Sequence, residues 1–198
     1  PGSNSVSVAE QTMAMILECR KSLTDSHYEY AHEKKDFQEL RKKYSKINQE
    51  LSGRTLGIIG FGNIGREVAK RAIAFDMEIT AYDPFVSDEQ FTSLGVKRAE
   101  SMSEVLSEAD ITTLHLALIR EEENPKNFTE GIVNRDLFSS IKPGAVLINN
   151  ARDALVDKNA LKEAIEEKGI YYLTDVFERK DGEEDICAWK NTMTTPHL

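Results

Sequence analysis

Hydrophobic positions along the chain follow two textures that change near Ser52. Ahead of it the spacing is helical. Ser5 or Ser7 can cap a helix running to about Arg20, with Ala9, Met13, Ile16 and Leu17 on one face. A second helical stretch carries Tyr30, Phe37, Leu40, Tyr44, Ile47 and Leu51, separated by 7, 3, 4, 3 and 4 positions, a near-heptad stripe. Fewer than three full heptads are occupied, so two readings stay open: an arm packing on its own domain, or a subunit interface. The run Glu33-Lys34-Lys35-Asp36 reads as a solvated face.

After Ser52, short apolar runs alternate with amphipathic stretches. Thr55–Ile59, Glu78–Tyr82, a short segment at Val96, Ile111–Leu116, Ala145–Asn149 and Ile170–Val176 read as strands. Helices are expected after the glycine-rich turn that follows Ile59, near Ser87–Leu94, at Glu104–Ala109, near Arg135–Ile141 and at Asn159–Lys168, the last stopped by Gly169. A long polar connection occupies Glu121–Glu130. Strands that are apolar throughout and alternate with helices imply a parallel sheet covered on both faces. The expected architecture is therefore α/β, a Rossmann-type doubly wound parallel sheet over residues 52–198 with an N-terminal helical arm over 1–51.

One turn in this frame carries chemistry. Gly60-Phe61-Gly62-Asn63-Ile64-Gly65 is G-x-G-x-x-G, a weak pattern alone. Here it follows a strand, opens a helix, and is followed 18 residues after Gly65 by Asp83 at the end of the next strand, which is the setting a dinucleotide fingerprint requires. Gly60 permits the tight turn, Gly62 lets the backbone approach a pyrophosphate, and Gly65 lets helix and strand pack closely. Free N–H groups at the helix start face the phosphates. Asp83 can accept hydrogen bonds from the adenosine ribose hydroxyls and would repel a 2′-phosphate, and no Arg or Lys stands in Pro84-Phe85-Val86-Ser87 to attract one. The expected cofactor is NAD.

Composition narrows the partners. The formal net charge of −9 on 198 residues, with no basic block interleaved with aromatics, disfavours a nucleic-acid or anionic-membrane surface. The apolar run Met13–Leu17 is far shorter than a membrane span, which needs about 20 residues, and has no basic flank. Two cysteines, Cys19 and Cys187, without C-x-x-C spacing argue for a reducing cytoplasm and against a disulfide framework or a metal site. The opening Pro1–Ser5 reads as a turn, and Thr195–Leu198 ends the chain without a closing helix, so the chain is expected to be a piece of a longer protein.

A dinucleotide fold hosts many chemistries, so the reaction must come from the second half. Four residues there sit at strand ends: His115, Arg152, Asp175 and His197. Each also has a plainer reading. His115 could be a satisfied structural histidine, Arg152 a surface ion pair with Asp153 or Asp157, and Asp175 the cap of a turn.

At these residues the chain resembles the D-isomer-specific 2-hydroxyacid dehydrogenases. The resemblance rests on Gly57–Gly65, Tyr82-Asp83-Pro84, Lys142–Asn149, Ala151-Arg152, Leu155-Val156-Asp157, Asp175-Val176-Phe177-Glu178 and Thr195-Pro196-His197, in order across the chain. Members interconvert 2-oxo acids and D-2-hydroxy acids such as lactate, glycerate and 3-phosphoglycerate. Their dinucleotide domain is inserted in a substrate domain made from both chain ends, so the resemblance implies that this chain is the coenzyme domain alone. It also implies that the helical arm lies where such domains pair, which favours a homodimer.

By the same resemblance Arg152 would grip the substrate carboxylate, His197 would be the general acid/base, and Asp175 would bind the nicotinamide carboxamide. The implied cofactor set is Gly60, Gly62, Asn63, Ile64, Gly65, Asp83, His115, Ala151, Arg152 and Asp175. A planar guanidinium suits the carboxylate, and imidazole titrates near working pH. Four departures stand out. The family's carboxylate that supports the His usually sits five residues after the Asp, where this chain has Lys180. The usual Gly after the Arg is Asp153, the usual His-x-Pro reads His115-Leu116-Ala117, and the connection from His115 to Gly131 is longer than the family's. A rival implied function is an NAD-binding scaffold, like the corepressors of the same superfamily; a formate dehydrogenase lies within the resemblance too.

Overall fold

The structure is a computed structural model and describes residues 4–177 and 185–197. Its centre is one sheet of seven parallel strands: β1 (Thr55–Ile59), β2 (Glu78–Tyr82), β3 (Lys97–Arg98), β4 (Ile111–Leu114), β5 (Val146–Asn149), β6 (Tyr171–Thr174) and β7 (Thr192–Thr194). Their spatial order is β3-β2-β1-β4-β5-β6-β7. The order reverses between β1 and β4, which pair directly from Leu56↔Ile111 to Ile59↔Leu114. Ligands of open α/β sheets bind in the crevice beyond the carboxyl ends of strands at such a reversal. The doubly wound architecture expected from the alternation of strands and helices is the one observed.

Helices α1 (Ser5–Lys21), α4 (Asn63–Ile73) and α5 (Asp88–Thr92) lie with one core, and α6 (Met102–Glu108), α7 (Arg135–Ser139) and α8 (Lys158–Lys168) with the other. The central strands are apolar on both faces, and so both faces are covered: Ile58 and Ile148 point into the first core, Ile59 and Leu147 into the second. In α1, Ala9, Met13, Met15 and Ile16 are buried in the first core, and the helix packs along α4.

The second helical stretch is not continuous. It is a pair, α2 (Leu23–Ala31) and α3 (Phe37–Ile47), with the charged run between them forming the turn instead of a helical face. The physical cause is local. Asp36 caps α3, its Oδ1 accepting from the Gln38 and Glu39 N–H groups, and Lys34 takes a left-handed conformation with φ 51°. The stripe is split accordingly. Leu40, Tyr44 and Leu51 are buried, whereas Tyr30, Phe37 and Ile47 are exposed. At the other end of the sheet, β7 was not expected as a strand; three residues carry no periodicity, and pairing with β6 from Tyr172↔Thr192 to Thr174↔Thr194 makes them one.

Candidate active site along the carboxyl edge of the sheet

The glycine turn leaves β1 and enters α4 under steric limits that explain two of its glycines. Gly60 has φ +95°, and a Cβ there would stand 2.6 Å from the His115 carbonyl oxygen. A Cβ at Gly65 would stand 2.3 Å from the carbonyl oxygen of Gly60. Both distances are prohibitive, so the turn, α4 and the end of β4 approach as closely as they do only through glycine. Gly62 differs. It is the N-cap of α4, and a Cβ there would meet nothing within 4 Å. Space at the open N-terminus of an eleven-residue helix is what a pyrophosphate needs. Asn63 and Ile64 form the first turn of that helix, and the Asn63 side chain is held by Arg66.

Asp83, half-buried at the end of β2, ties this turn to its own loop. Its Oδ2 accepts from the Phe61 N–H and its Oδ1 from the Phe85 N–H, both at 2.9 Å. An ionised carboxylate offers about four lone-pair directions, so two remain for ribose hydroxyls. The Phe61 ring is buried and stacked on Phe91, with centroids 4.5 Å apart, which fixes the turn from the core side.

His115 follows β4, its backbone N–H bonded to the Ile59 carbonyl. Its Nε2 lies 3.1 Å from Thr113 Oγ1, but its Nδ1 is buried with no partner among the described residues, so it is not a fully satisfied structural histidine. Burial pushes its pKa down to about 4. Below the ordinary histidine pKa the unfolded chain takes up a proton that the folded chain refuses, so stability falls as pH drops from about 6.5 toward 4. Because the residue keeps some exposed surface, the expected loss is about 2 kcal/mol rather than the full shift. Urea midpoints at pH 7 and pH 4.5 check this. His115→Gln should remove that part of the acid sensitivity, and an unchanged difference between the two pH values would contradict it.

Beyond β5 the backbone turns around Asn149, which is buried and was not foreseen as a site residue. Its Nδ2 donates to the Arg152 carbonyl and to Tyr172 Oη, its Oδ1 accepts from the N–H groups of Ala151 and Arg152, and its own carbonyl accepts from Thr174 Oγ1. This turn presents Arg152 at the rim, exposed, with Nη1 donating to the Ala151 carbonyl. The two acids that could have paired with Arg152 are engaged elsewhere: Asp153 with Lys158 at 3.3 Å, and Asp157 as the cap of α8. Asn150 reaches α1 instead, accepting from Thr12 Oγ1 and donating to Met15 Sδ. A polar residue ending an apolar strand was the available signal for Asn149; the Thr12–Asn150 contact spans 138 residues and had none.

Asp175 follows β6, is buried, and does not cap its turn; the Val176 N–H bonds Thr174 Oγ1. The Asp175 Oδ1 has no partner among the described residues, and its Oδ2 lies 3.7 Å from His197 Nδ1. The Thr195 N–H donates to the Thr174 carbonyl, which continues the β6–β7 ladder and delivers His197 beside Asp175. Lys180, Glu178, Glu183 and Glu184 lie outside the described residues. The expected site residues thus line one edge in the order Asp83, the glycine turn, His115, Arg152, Asp175, His197, across six neighbouring strands, about 24 Å at the usual strand spacing. That edge is an open rim. A concavity of about 750 Å³ lies between α1 and β6–β7, and none of these residues lines it.

The open position at Gly62, the acid at Asp83 and the unpartnered Nδ1 of His115 and Oδ1 of Asp175 fit an extended dinucleotide. Comparison with known proteins agrees. Residues 13–198 match the family described as D-isomer specific 2-hydroxyacid dehydrogenase, NAD binding domain. The D-3-phosphoglycerate dehydrogenase of Methanocaldococcus jannaschii is 36% identical over all of this chain, which spans 36% of that protein. The hydroxypyruvate reductase of Thermotoga maritima is 34% identical, with this chain spanning 61% of it. Among solved structures, the NAD-dependent formate dehydrogenase of Staphylococcus aureus in complex with NAD superposes with a TM-score of 0.80 at 29% identity, over 99% of this chain and 56% of that one.

Proposed function

Because this chain belongs to the D-isomer-specific 2-hydroxyacid dehydrogenases, as their NAD-binding domain, we propose that the protein it serves is an NAD-dependent oxidoreductase interconverting a D-2-hydroxy acid and its 2-oxo acid. The observation that carries this reading is the placement of Arg152, Asp175 and His197 at the ends of the neighbouring strands β5, β6 and β7, continuing the edge that holds the glycine turn. Gly60, Gly62, Asn63, Ile64 and Gly65 cradle the pyrophosphate, Asp83 takes the ribose, and His115 and Ala151 line the path between. When bound, NAD supplies the acceptor or donor of the hydride. Arg152 grips the substrate carboxylate through two parallel hydrogen bonds, for which its guanidinium must leave the Ala151 carbonyl. His197 moves the proton at the 2-oxygen. Asp175 binds the nicotinamide carboxamide with the oxygen that lacks a partner.

The chain spans about a third of the length of the phosphoglycerate dehydrogenases it matches. A substrate held against this edge has one wall, and without a second wall water stays in the site and the reacting geometry is lost. The isolated chain is therefore expected to bind NAD without turnover, and the full-length protein to reduce a 2-oxo acid. Assaying both with a panel of 2-oxo acids and NADH tests the reading. Turnover by the isolated chain would contradict the one-wall account, and NAD binding without turnover by the full-length protein would favour the corepressor-like scaffold.

The proposed arm over residues 1–51 presents Leu23, Tyr28, Tyr30, Phe37 and Ile47 to solvent on α2 and α3. Burying such side chains contributes about 1.5–3 kcal/mol each before entropy, and we assign this face to pairing of two copies. Sedimentation equilibrium should find a dimer that Phe37→Asp converts to monomer, whereas a wild-type monomer at high concentration would return the face to a merely solvated one. The cytoplasm is the compartment that suits the two unpaired cysteines. No described helix is long and apolar enough to cross a membrane.

A further inference from the structure

The structure leaves one question at the proton-transfer end of the site: which carboxylate orients His197 when the position five residues after Asp175 is Lys180. We propose that Asp175 does so itself, holding the imidazole in the tautomer with its proton on Nδ1 and leaving Nε2 as the atom that exchanges a proton with the substrate. The inference rests on the dehydrogenase reading and gives Asp175 two tasks, one for each oxygen.

The geometry supports the division. Asp175 Oδ2 is 3.7 Å from His197 Nδ1, and Oδ1 is buried without a partner among the described residues, so it remains available to a carboxamide N–H. Asp175 is 4% exposed, so its carboxylate has little water to satisfy it. The turn does not consume it, because the Val176 N–H bonds Thr174 Oγ1. Neutral imidazole has one N–H and one bare nitrogen, and an ionised carboxylate only accepts, so the nitrogen facing Asp175 must be the protonated one. At 3.7 Å the two atoms stand a few tenths of an ångström beyond hydrogen-bond reach, a gap that a small rotation of the exposed His197 ring closes.

Among the described residues, the other polar and charged groups around this corner have partners elsewhere. From the loop after β5, Arg152 donates to the Ala151 carbonyl and Asp153 pairs with Lys158. From α1, Gln11 reaches Thr195 Oγ1 and Glu10 pairs with Arg71. Parallel pairing of β6 with β7 sets Asp175 and His197 side by side, which makes the contact a consequence of the sheet and not of a long loop. Asp175 is in this sense a positioning residue for His197.

The test reads the tautomer directly, from the nitrogen-15 shifts of the His197 ring in this 198-residue chain at a pH where the ring is neutral. Wild type is expected to show the Nδ1–H form. Asp175→Ala is expected to switch the dominant form to Nε2–H, while Lys180→Met, Glu178→Gln, Glu183→Gln and Glu184→Gln leave it unchanged. A wild-type Nε2–H form overturns the proposal without any variant. A switch produced by one of the glutamate variants overturns it in favour of that carboxylate. If Asp175→Ala fails to fold, the wild-type spectrum and the glutamate series still decide. Titrating NAD into the same wild-type sample separates the two levels. Absence of binding defeats the dehydrogenase reading, whereas NAD binding with an Nε2–H histidine defeats only the role of Asp175.

Discussion

Gly62→Ala should fold like wild type and bind NAD about 10- to 100-fold more weakly, a loss of about 1.4–2.8 kcal/mol. Its two motif partners should behave in the opposite way. At Gly62 a methyl group meets nothing within 4 Å, so folding changes by no more than about 1 kcal/mol, the cost of replacing a glycine N-cap by alanine. That same space is where the pyrophosphate would contact the N-terminus of α4, and a methyl group fills it. At Gly65 the methyl would sit 2.3 Å from a backbone oxygen of the same turn, which cannot swing aside, and about 3 kcal/mol of stability is expected to be lost. At Gly60 a similar clash is joined by the strain of φ +95°, again about 3 kcal/mol. Thermal melts and NAD titration of the three variants read the two effects separately. Equal NAD affinity in wild type and Gly62→Ala would place the dinucleotide somewhere other than this turn.

Preference for NAD over NADP should amount to about 2–4 kcal/mol, or roughly 30- to 1,000-fold in affinity, because a 2′-phosphate would replace a hydroxyl that Asp83 accepts from with a charge it repels. Asp83 is not free to move away from that charge. Both its oxygens accept backbone N–H groups, from Phe61 and Phe85, so the carboxylate is fixed where the ribose would lie. Asp83→Ser should reduce the preference to within a few-fold. It should also weaken NAD itself and loosen the turn, since the Phe61 N–H, on a residue whose ring is wholly buried, loses its partner. Equal affinity of the wild-type chain for both cofactors would remove Asp83 from the ribose site.

The same residues show what could be read in advance. β1, β2, β4, β5 and β6 were legible because each is a short, largely buried run rich in apolar and β-branched residues, and that pattern is local. The glycine turn was legible because its glycine spacing and the acid ending the next strand are local, although the close approach of His115 that Gly60 permits is not. The break between α2 and α3 was written in the chain as Asp36 three residues ahead of Glu39, a capping signature that the continuous apolar stripe masked. The strand character of β7 and the contacts Thr12–Asn150 and Asp175–His197 depend on segments that meet only after the sheet assembles. Spacing within any one segment could not have disclosed them.

The central claim, that this chain is built to hold an extended NAD along the carboxyl edge of its sheet, is tested most directly by a crystal structure of the chain grown with NAD. The pyrophosphate is expected over Gly62 at the start of α4, the adenosine ribose hydroxyls on Asp83, and the nicotinamide carboxamide on Asp175 beside His197. A dinucleotide bound elsewhere, or an empty edge at millimolar NAD, would contradict it.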